Sequence, residues 1–340
     1  MRTEIHRDSV AFQRLRPEWN ALVQRSLCNR IFVTWEWQAI WWECLGEGEL
    51  HLLTLRADDG LLVGIAPLCR VTGQTGERAF RWIGCVDVSD YLDLIALPEY
   101  EAALHKAILD YVTGPDAPAW DYVDLCNIPQ DSHTHRALAE LAVQRSLYAR
   151  AEVQDVCPVI SLPDTWDAYL DSLDKKQRHE IRRKMRRIEQ ETQTRRYTAN
   201  NTNTLDDAVD TFIHLHKKSD PDKEAFMTVQ MVQFFKEICR ALFENGWLQL
   251  AFIEMDGVEA ATMLNFDYNG EILVYNSGYD PSAYAGLSPG IVLLADCIRS
   301  AIESGRKRFD FLRGNEDYKF RFGAAATTVH NLLISPRPLP

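Results

Sequence analysis

Gly286, Ser288, Pro289 and Gly290 stand at a spacing that can seat an anion. Residues 272–279 (ILVYNSGY) read as a strand, rich in β-branched and aromatic side chains. Residues 291–304 (IVLLADCIRSAIES) carry apolar residues at helical spacing. The turn between them ends in a helix start. Ser288 can cap it, and Pro289 suits the first helical position because its missing N–H would be unpaired there anyway. Gly286 permits a positive φ, and Gly290 has no Cβ to block an approaching group. Free amides at such a helix start bind anions, so a phosphate-bearing cofactor is expected here. Polar side chains gather near the ends of the flanking strands. Tyr279 and Asp280 close the first; Arg313, Glu316, Tyr318 and Lys319 follow a second expected strand at 308–312. Ligands of open α/β sheets sit at such strand ends.

The chain is long enough to hold two domains, with 340 residues of which 46% are hydrophobic. No apolar run approaches the ~20 residues of a membrane span. The first ten residues lack the apolar core of a signal peptide, so a cytoplasmic protein is expected. Eight cysteines are scattered without a C-x-x-C or a Cys/His cluster. That spacing argues against zinc and predicts reduced thiols. A net charge of −12 predicts no general affinity for nucleic acid.

Residues 175–187 (KKQRHEIRRKMRR) break the acidic trend, with eight Lys or Arg against one Glu. Glu180 and Lys184 are an i,i+4 pair, and Ile181, Met185 and Ile188 make a thin apolar stripe. The pattern predicts a basic amphipathic helix, either a solvated face or a clamp for phosphates. The candidate ligands are the CoA 3′-phosphate, the phosphopantetheine of an acyl carrier protein, tRNA or an anionic acceptor. His214 and His216 are two apart on an expected helix and point to different faces, so they are not a metal pair. His216 is a candidate for binding the acceptor. Trp35, Trp37, Trp41 and Trp42 suit a helix packed into core, with a sugar-stacking platform as the alternative.

The plan of the chain repeats. Leu50–Leu68 and Leu248–Phe266 both look like β-hairpins around an Asp-Gly turn. Strand, helix and strand follow each: Tyr91–Leu97, Glu101–Val112 and Trp120–Leu125, then Ile272–Tyr279, Pro289–Ser304 and Arg308–Leu312. Two copies of one α/β unit are expected, over 1–160 and 161–340, with a basic helical segment at 164–192 between their sheets. In the first copy the loop Ala96-Leu97-Pro98-Glu99-Tyr100-Glu101 has no glycine, and its two glutamates would repel a phosphate. That copy is expected to shape the structure or the acceptor, not to hold the donor.

The ordered set Ile65-Ala66-Pro67-Leu68, Asp90-Tyr91-Leu92-Asp93, Lys176 with Arg178, Ile181 and Arg182, Ser277-Gly278-Tyr279-Asp280, Ser288-Pro289-Gly290 and Phe309-Asp310-Phe311-Leu312-Arg313-Gly314 resembles the GNAT superfamily of acyltransferases. It is most similar to the tandem-GNAT, CelD-like acetyltransferases linked to cellulose biosynthesis, relatives of the FemAB-type peptidyltransferases. The resemblance spans about residues 50–320. It implies a GNAT-like mixed α/β unit in each half, and an acyl thioester donor such as acetyl-CoA. The donor would lie between splayed strands at 272–279 and 308–312. Tyr279, Gly286, Ser288, Pro289, Gly290 and Arg313 would bind it, and Lys176, Arg178 and Arg182 match the pattern's cationic positions. Among the catalytic candidates, Tyr318 would protonate the leaving thiolate and Lys319 would stabilise the carbonyl oxygen. Asp280 or Glu316 would take the acceptor's proton; Glu316 would suit this if an apolar surface strengthened it as a base. The chain departs from many GNAT enzymes at Tyr284-Ala285-Gly286-Leu287-Ser288, which lacks a leading Gln or Arg. A carrier-protein donor and an aminoacyl-tRNA donor therefore stay open beside CoA.

Three functions follow as expectations. The first is direct acyl transfer to an amine or hydroxyl on a sugar, polysaccharide precursor or peptide, without a cysteine nucleophile or a metal. The second is FemAB-type transfer from aminoacyl-tRNA. The third is a catalytically silent binding module in polysaccharide assembly.

Overall fold

The computed structural model describes residues 1–85 and 88–338. The chain divides into two compact units, Met1–Val156 with Thr328–Pro340, and Cys157–Thr327. The elements in order are β1 (Arg2–His6), α1 (Val10–Arg25), α2 (Trp35–Leu45), β2 (Glu49–Arg56), β3 (Leu62–Thr72), β4 (Arg78–Trp82), β5 (Ile95–Ala96), α3 (Glu101–Val112), β6 (Tyr122–Pro129), α4 (Thr134–Gln144) and β7 (Tyr148–Ser161). Then come α5 (Trp166–Ser172), α6 (Lys175–Glu191), β8 (Thr194–Thr198), α7 (Leu205–Ser219), α8 (Pro221–Phe226), α9 (Val229–Glu244), β9 (Leu248–Met255), β10 (Val258–Tyr268), β11 (Glu271–Tyr279), α10 (Pro289–Glu303), β12 (Arg308–Asp310), α11 (Asp317–Arg321) and β13 (Ala325–Ser335).

The first unit orders its strands β1-β2-β3-β4-β6-β13, with β5 on β3. Its β2–β3 hairpin is the expected one, but the strand expected over 91–97 shrinks to Ile95–Ala96. Residues 91–94 are buried without a ladder, and Leu92 N–H bonds Asn127 O instead. The helix at 101–112 forms as read. The four tryptophans fall on α2, where Trp35, Trp37 and Trp41 are buried in core. The expectation of eight reduced thiols fails at one pair, for Cys85 and Cys126 form a disulfide. They lie 41 residues apart, so only folding brings their Cα atoms to 6.1 Å.

The second unit orders its strands β7-β12-β11-β10-β9-β8. Asp256 and Gly257 both take positive φ in the two-residue turn of the β9–β10 hairpin, the twist-matched turn that an Asp-Gly pair favours. Helix α10 buries Val292, Leu293, Ala295, Ile298 and Ile302 in a core shared with Ala251, Ile253, Met263 and Ile272 of the sheet. The basic helix forms as expected. Asp174 caps it, accepting from the amides of Lys176 and Gln177 at 2.9 and 3.0 Å. Ile181 and Ile188 are buried in the same core, and Met185 packs against it.

One feature of this sheet makes a site. β11 pairs with β10 along its whole length, but with β12 only over 271–273 against 308–310. Beyond Leu273 the two parallel strands part. The second strand, expected to reach Leu312, ends at Asp310; Phe311 N–H turns to Pro158 O and Leu312 takes a φ of 57°. The β11 edge from Val274 to Tyr279 is left without a partner strand among the described residues.

Candidate functional site

The wedge between β11 and β12 opens toward residues 279–290, and α10 starts there. Pro289 stands at the first position of α10, as expected. Two expectations about this turn need correction. Gly286 does not carry a positive φ; Tyr284 and Ser288 do, each at 54°. Ser288 does not cap the helix through its side chain. Its carbonyl instead accepts from Ile291 and Val292 N–H at 3.1 and 3.2 Å. Those two amides are therefore engaged, and from Ala285 to the start of α10 the donors without a partner among the described residues are Ala285, Gly286 and Gly290 N–H. A side chain added at Gly286 or Gly290 would meet nothing within 4 Å, so both faces are open to a ligand. Left-handed backbone at two non-glycine residues costs about 1–2 kcal/mol each, strain of the kind found at binding loops.

The cations at this loop are ones the sequence reading did not single out. Lys184 Nζ donates to Ser288 Oγ at 2.6 Å and Arg187 to Gly286 O at 3.2 Å. Lys184 and Arg187 lie three apart on α6 and so share a face. Their i,i+3 spacing, on one flank of the Ile181/Ile188 stripe, was the available signal. Arg178 is ion-paired to Asp171 at 2.6 Å. Lys176 and Arg182 are exposed and make no ion pair among the described residues. None of these three touches the loop. A phosphate group suits this turn, which carries two open glycine faces and unpaired amides and is touched by the two cations Lys184 and Arg187.

At the end of β11, Asp280 is buried and its carboxylate is fully engaged. Lys218 Nζ donates to one oxygen at 2.6 Å, and Ser282 N–H and Oγ donate to the other. Lys218 and Ser282 hold Asp280 down to about 2. That corrects the expectation of a base here, since a carboxylate so stabilised has little affinity for a proton. Tyr279 is 43% exposed, so it is free for a ligand and not a core aromatic.

His216 on α7 is buried, and its Nε2 meets Asn276 Oδ1 of β11 at 3.0 Å. Burial, with Lys223 nearby, lowers its pKa to about 4. The ring is therefore neutral, and the contact assigns its proton to Nε2 as donor. Nδ1 is left buried with no partner. Helix α7 can lie this close because Gly278 has no side chain; a Cβ there would sit 2.3 Å from His216 N.

The run after β12 folds around Lys319. Its ammonium is buried and donates to Arg313 O at 2.9 Å, Gly314 O at 3.2 Å and Glu316 at 2.8 Å. Three acceptors use all three of its N–H groups, so Lys319 reaches a substrate only by releasing one. The condition set for Glu316 as a base, an apolar surrounding, is not met by a carboxylate that is 56% exposed and paired to Lys319. Burial and the Glu316 charge raise Tyr318 to about 12. That lies far above a thiol's ~8.5, so Tyr318 suits hydrogen bonding to a leaving sulfur better than complete proton transfer.

Lys223 on α8 is a further cation that the sequence reading passed over. Its Nζ donates to Ser277 O at 2.7 Å on β11 and, among the described residues, to no other group, which leaves two N–H groups unused. Burial lowers its pKa, against the pull of Asp220 and Glu316. The cysteines of this unit do not offer a nucleophile: Cys157, Cys239 and Cys297 are buried, and burial pushes Cys239 and Cys297 up to about 12. Among the described residues no group of His, Cys, Asp and Glu could hold a metal, and no helix is long and apolar enough to cross a membrane.

Comparison with curated proteins finds no match. Among solved structures the chain is similar to FemX, with a TM-score of 0.66 at 11% identity over 97% of each chain. It is similar to L-PGS from Bacillus licheniformis, with a TM-score of 0.57 at 10% identity over 94% of this chain and 91% of that one. It is also similar to the C-terminal domain of a putative lysylphosphatidylglycerol synthetase from Agrobacterium fabrum, at 0.56 and 10% over 95% and 92%. At these identities the likeness is one of fold. Residues 175–320 match the family model of the acetyltransferase (GNAT) domain. The matched stretch, 175–320, is the one that holds the splayed strands, the basic helix and the open turn.

Proposed function

We propose that the second unit is an acyl-transfer centre whose donor is a thioester on a phosphate-bearing arm, acyl-CoA in the simplest case. The observation that carries this reading is the seat at residues 284–290, where Lys184 and Arg187 meet three free amides and two open glycines. The pantetheine arm would lie along the unpaired β11 edge, whose backbone N–H groups can polarise the acyl carbonyl. An amine or hydroxyl attacks that carbonyl, the C–S bond breaks, and the thiolate leaves beside Tyr318. Glu316 is the carboxylate we favour as base, because it is 56% exposed and has one cationic partner, Lys319, to release, whereas both oxygens of Asp280 are engaged. Lys223 adds positive charge near the carbonyl oxygen. Transfer is direct, since Cys157, Cys239 and Cys297 of this unit are buried.

The acceptor is an amine or hydroxyl compound. Sugar, polysaccharide-precursor and peptide acceptors fit, and the fold shared with a lysylphosphatidylglycerol synthetase adds a lipid. A second reading, transfer from aminoacyl-tRNA, draws on the fold shared with FemX. Thiol release from acetyl-CoA with mixed amine and hydroxyl acceptors tests the first reading. Release that depends on acceptor supports it; none with any acceptor favours tRNA-dependent transfer or a silent binding module. Gly290→Glu is the companion variant. A side chain fits there, and an acidic residue in the first helical turn favours the helix dipole. The variant should fold normally and lose CoA binding through charge repulsion.

A further inference from the structure

The cations of α6 sort into two sets. Arg178, Arg183, Lys184 and Arg187 are all compensated, by Asp171, Glu180 and Glu191. Lys175, Lys176, Arg182 and Arg186, with His179 among them, are exposed, and their side chains make no ion pair or hydrogen bond among the described residues. At 100° per residue, positions 175, 179, 182 and 186 fall within about 60° of one another, on the side away from buried Ile181 and Ile188. Their 4-3-4 spacing makes a straight basic stripe about 16 Å long. No acidic side chain interrupts it, in a chain whose net charge is −12.

We infer that this stripe docks an acidic helix of an acyl carrier protein, which delivers the acyl group on its phosphopantetheine arm. The inference rests on the donor seat proposed above and names its carrier. A free nucleotide would need only the inner cations Lys184 and Arg187, so it leaves the outer row unexplained. A helix bearing carboxylates at the same 4-3-4 spacing pairs with the row residue for residue. Single-stranded RNA is the poorer match, because residues 175–191 hold no Phe, Tyr or Trp on which successive bases could stack, only the single imidazole of His179. From the stripe to the loop is about one helix diameter, roughly 10 Å, within the reach of an extended pantetheine arm.

The test is titration of holo-acyl carrier protein, total tRNA and free CoA against the wild type and Arg182→Glu/Arg186→Glu at two ionic strengths. Circular dichroism confirms folding of the variant, whose changes lie on a solvated face. Expected results are salt-sensitive binding of the carrier protein, at least tenfold weaker in the variant, with CoA affinity unchanged. Carrier binding that ignores the charge reversal overturns the docking site, as does binding of tRNA but not carrier. If CoA binds and the carrier does not, the donor seat stands and the docking inference falls. If neither binds, the donor reading itself fails.

Discussion

Lys184→Ala should separate ligand binding from folding. In the wild type its ammonium touches Ser288 Oγ at 2.6 Å and Glu180 at 3.5 Å, with the side chain 21% exposed. Removing a cation that bonds a phosphate costs about 1.5–3 kcal/mol of affinity. At 1.36 kcal/mol per decade that is roughly a 10- to 150-fold weaker Kd for CoA. The folding cost is smaller. A hydrogen bond contributes about 1 kcal/mol and a partly exposed ion pair about 0.3–0.5. A loss near 1.5 kcal/mol lowers Tm by only about 3–6 °C in a unit of this size. Isothermal calorimetry at 25 °C reads the first effect and thermal denaturation the second. An unchanged Kd in a folded Lys184→Ala protein would refute the role of this cation at the donor seat.

Lys223→Met should lower kcat for thiol release at least tenfold with a small change in donor KM, because its ammonium is anchored on Ser277 O near the end of β11; equal falls in kcat and donor affinity would make it a binding residue instead. Gly278→Ala should destabilise the second unit by about 3 kcal/mol, read from denaturant midpoints, since its Cβ would meet the α7 backbone at 2.3 Å. His216 carries a pH signature. Its folded pKa of about 4 lies below the unfolded value near 6.5, so the unfolded state binds the extra proton first. The stability it contributes is whole above 6.5 and declines as pH falls toward 4. The stability difference between wild type and His216→Gln should therefore shrink across that window; a constant difference contradicts a buried neutral ring.

Much of the second unit was legible because its signals are local. The Asp-Gly hairpin, the apolar period of α10, Pro289 at its start and the Ile181/Ile188 stripe each lie within one element. What stayed hidden depends on contacts between elements. Ser288 reads as a cap in sequence, yet folding turns it left-handed and hands its hydroxyl to Lys184, 104 residues away. Asp280 reads as a free base until Lys218 and Ser282 close on it. Lys319 reads as available until the 313–316 turn wraps its ammonium. Cys85 and Cys126 show no pattern before β6 is placed. The C-terminal strand reads as part of the second half, but Val329–Ile334 pair with β6 of the first unit.

A structure of the protein soaked with coenzyme A tests the central claim most directly. Pyrophosphate density beside Gly286 and Gly290, within reach of Lys184 and Arg187, and pantetheine along the β11 edge are the predicted result. Density beside Pro98 in the first unit, or no binding at millimolar coenzyme, would contradict it.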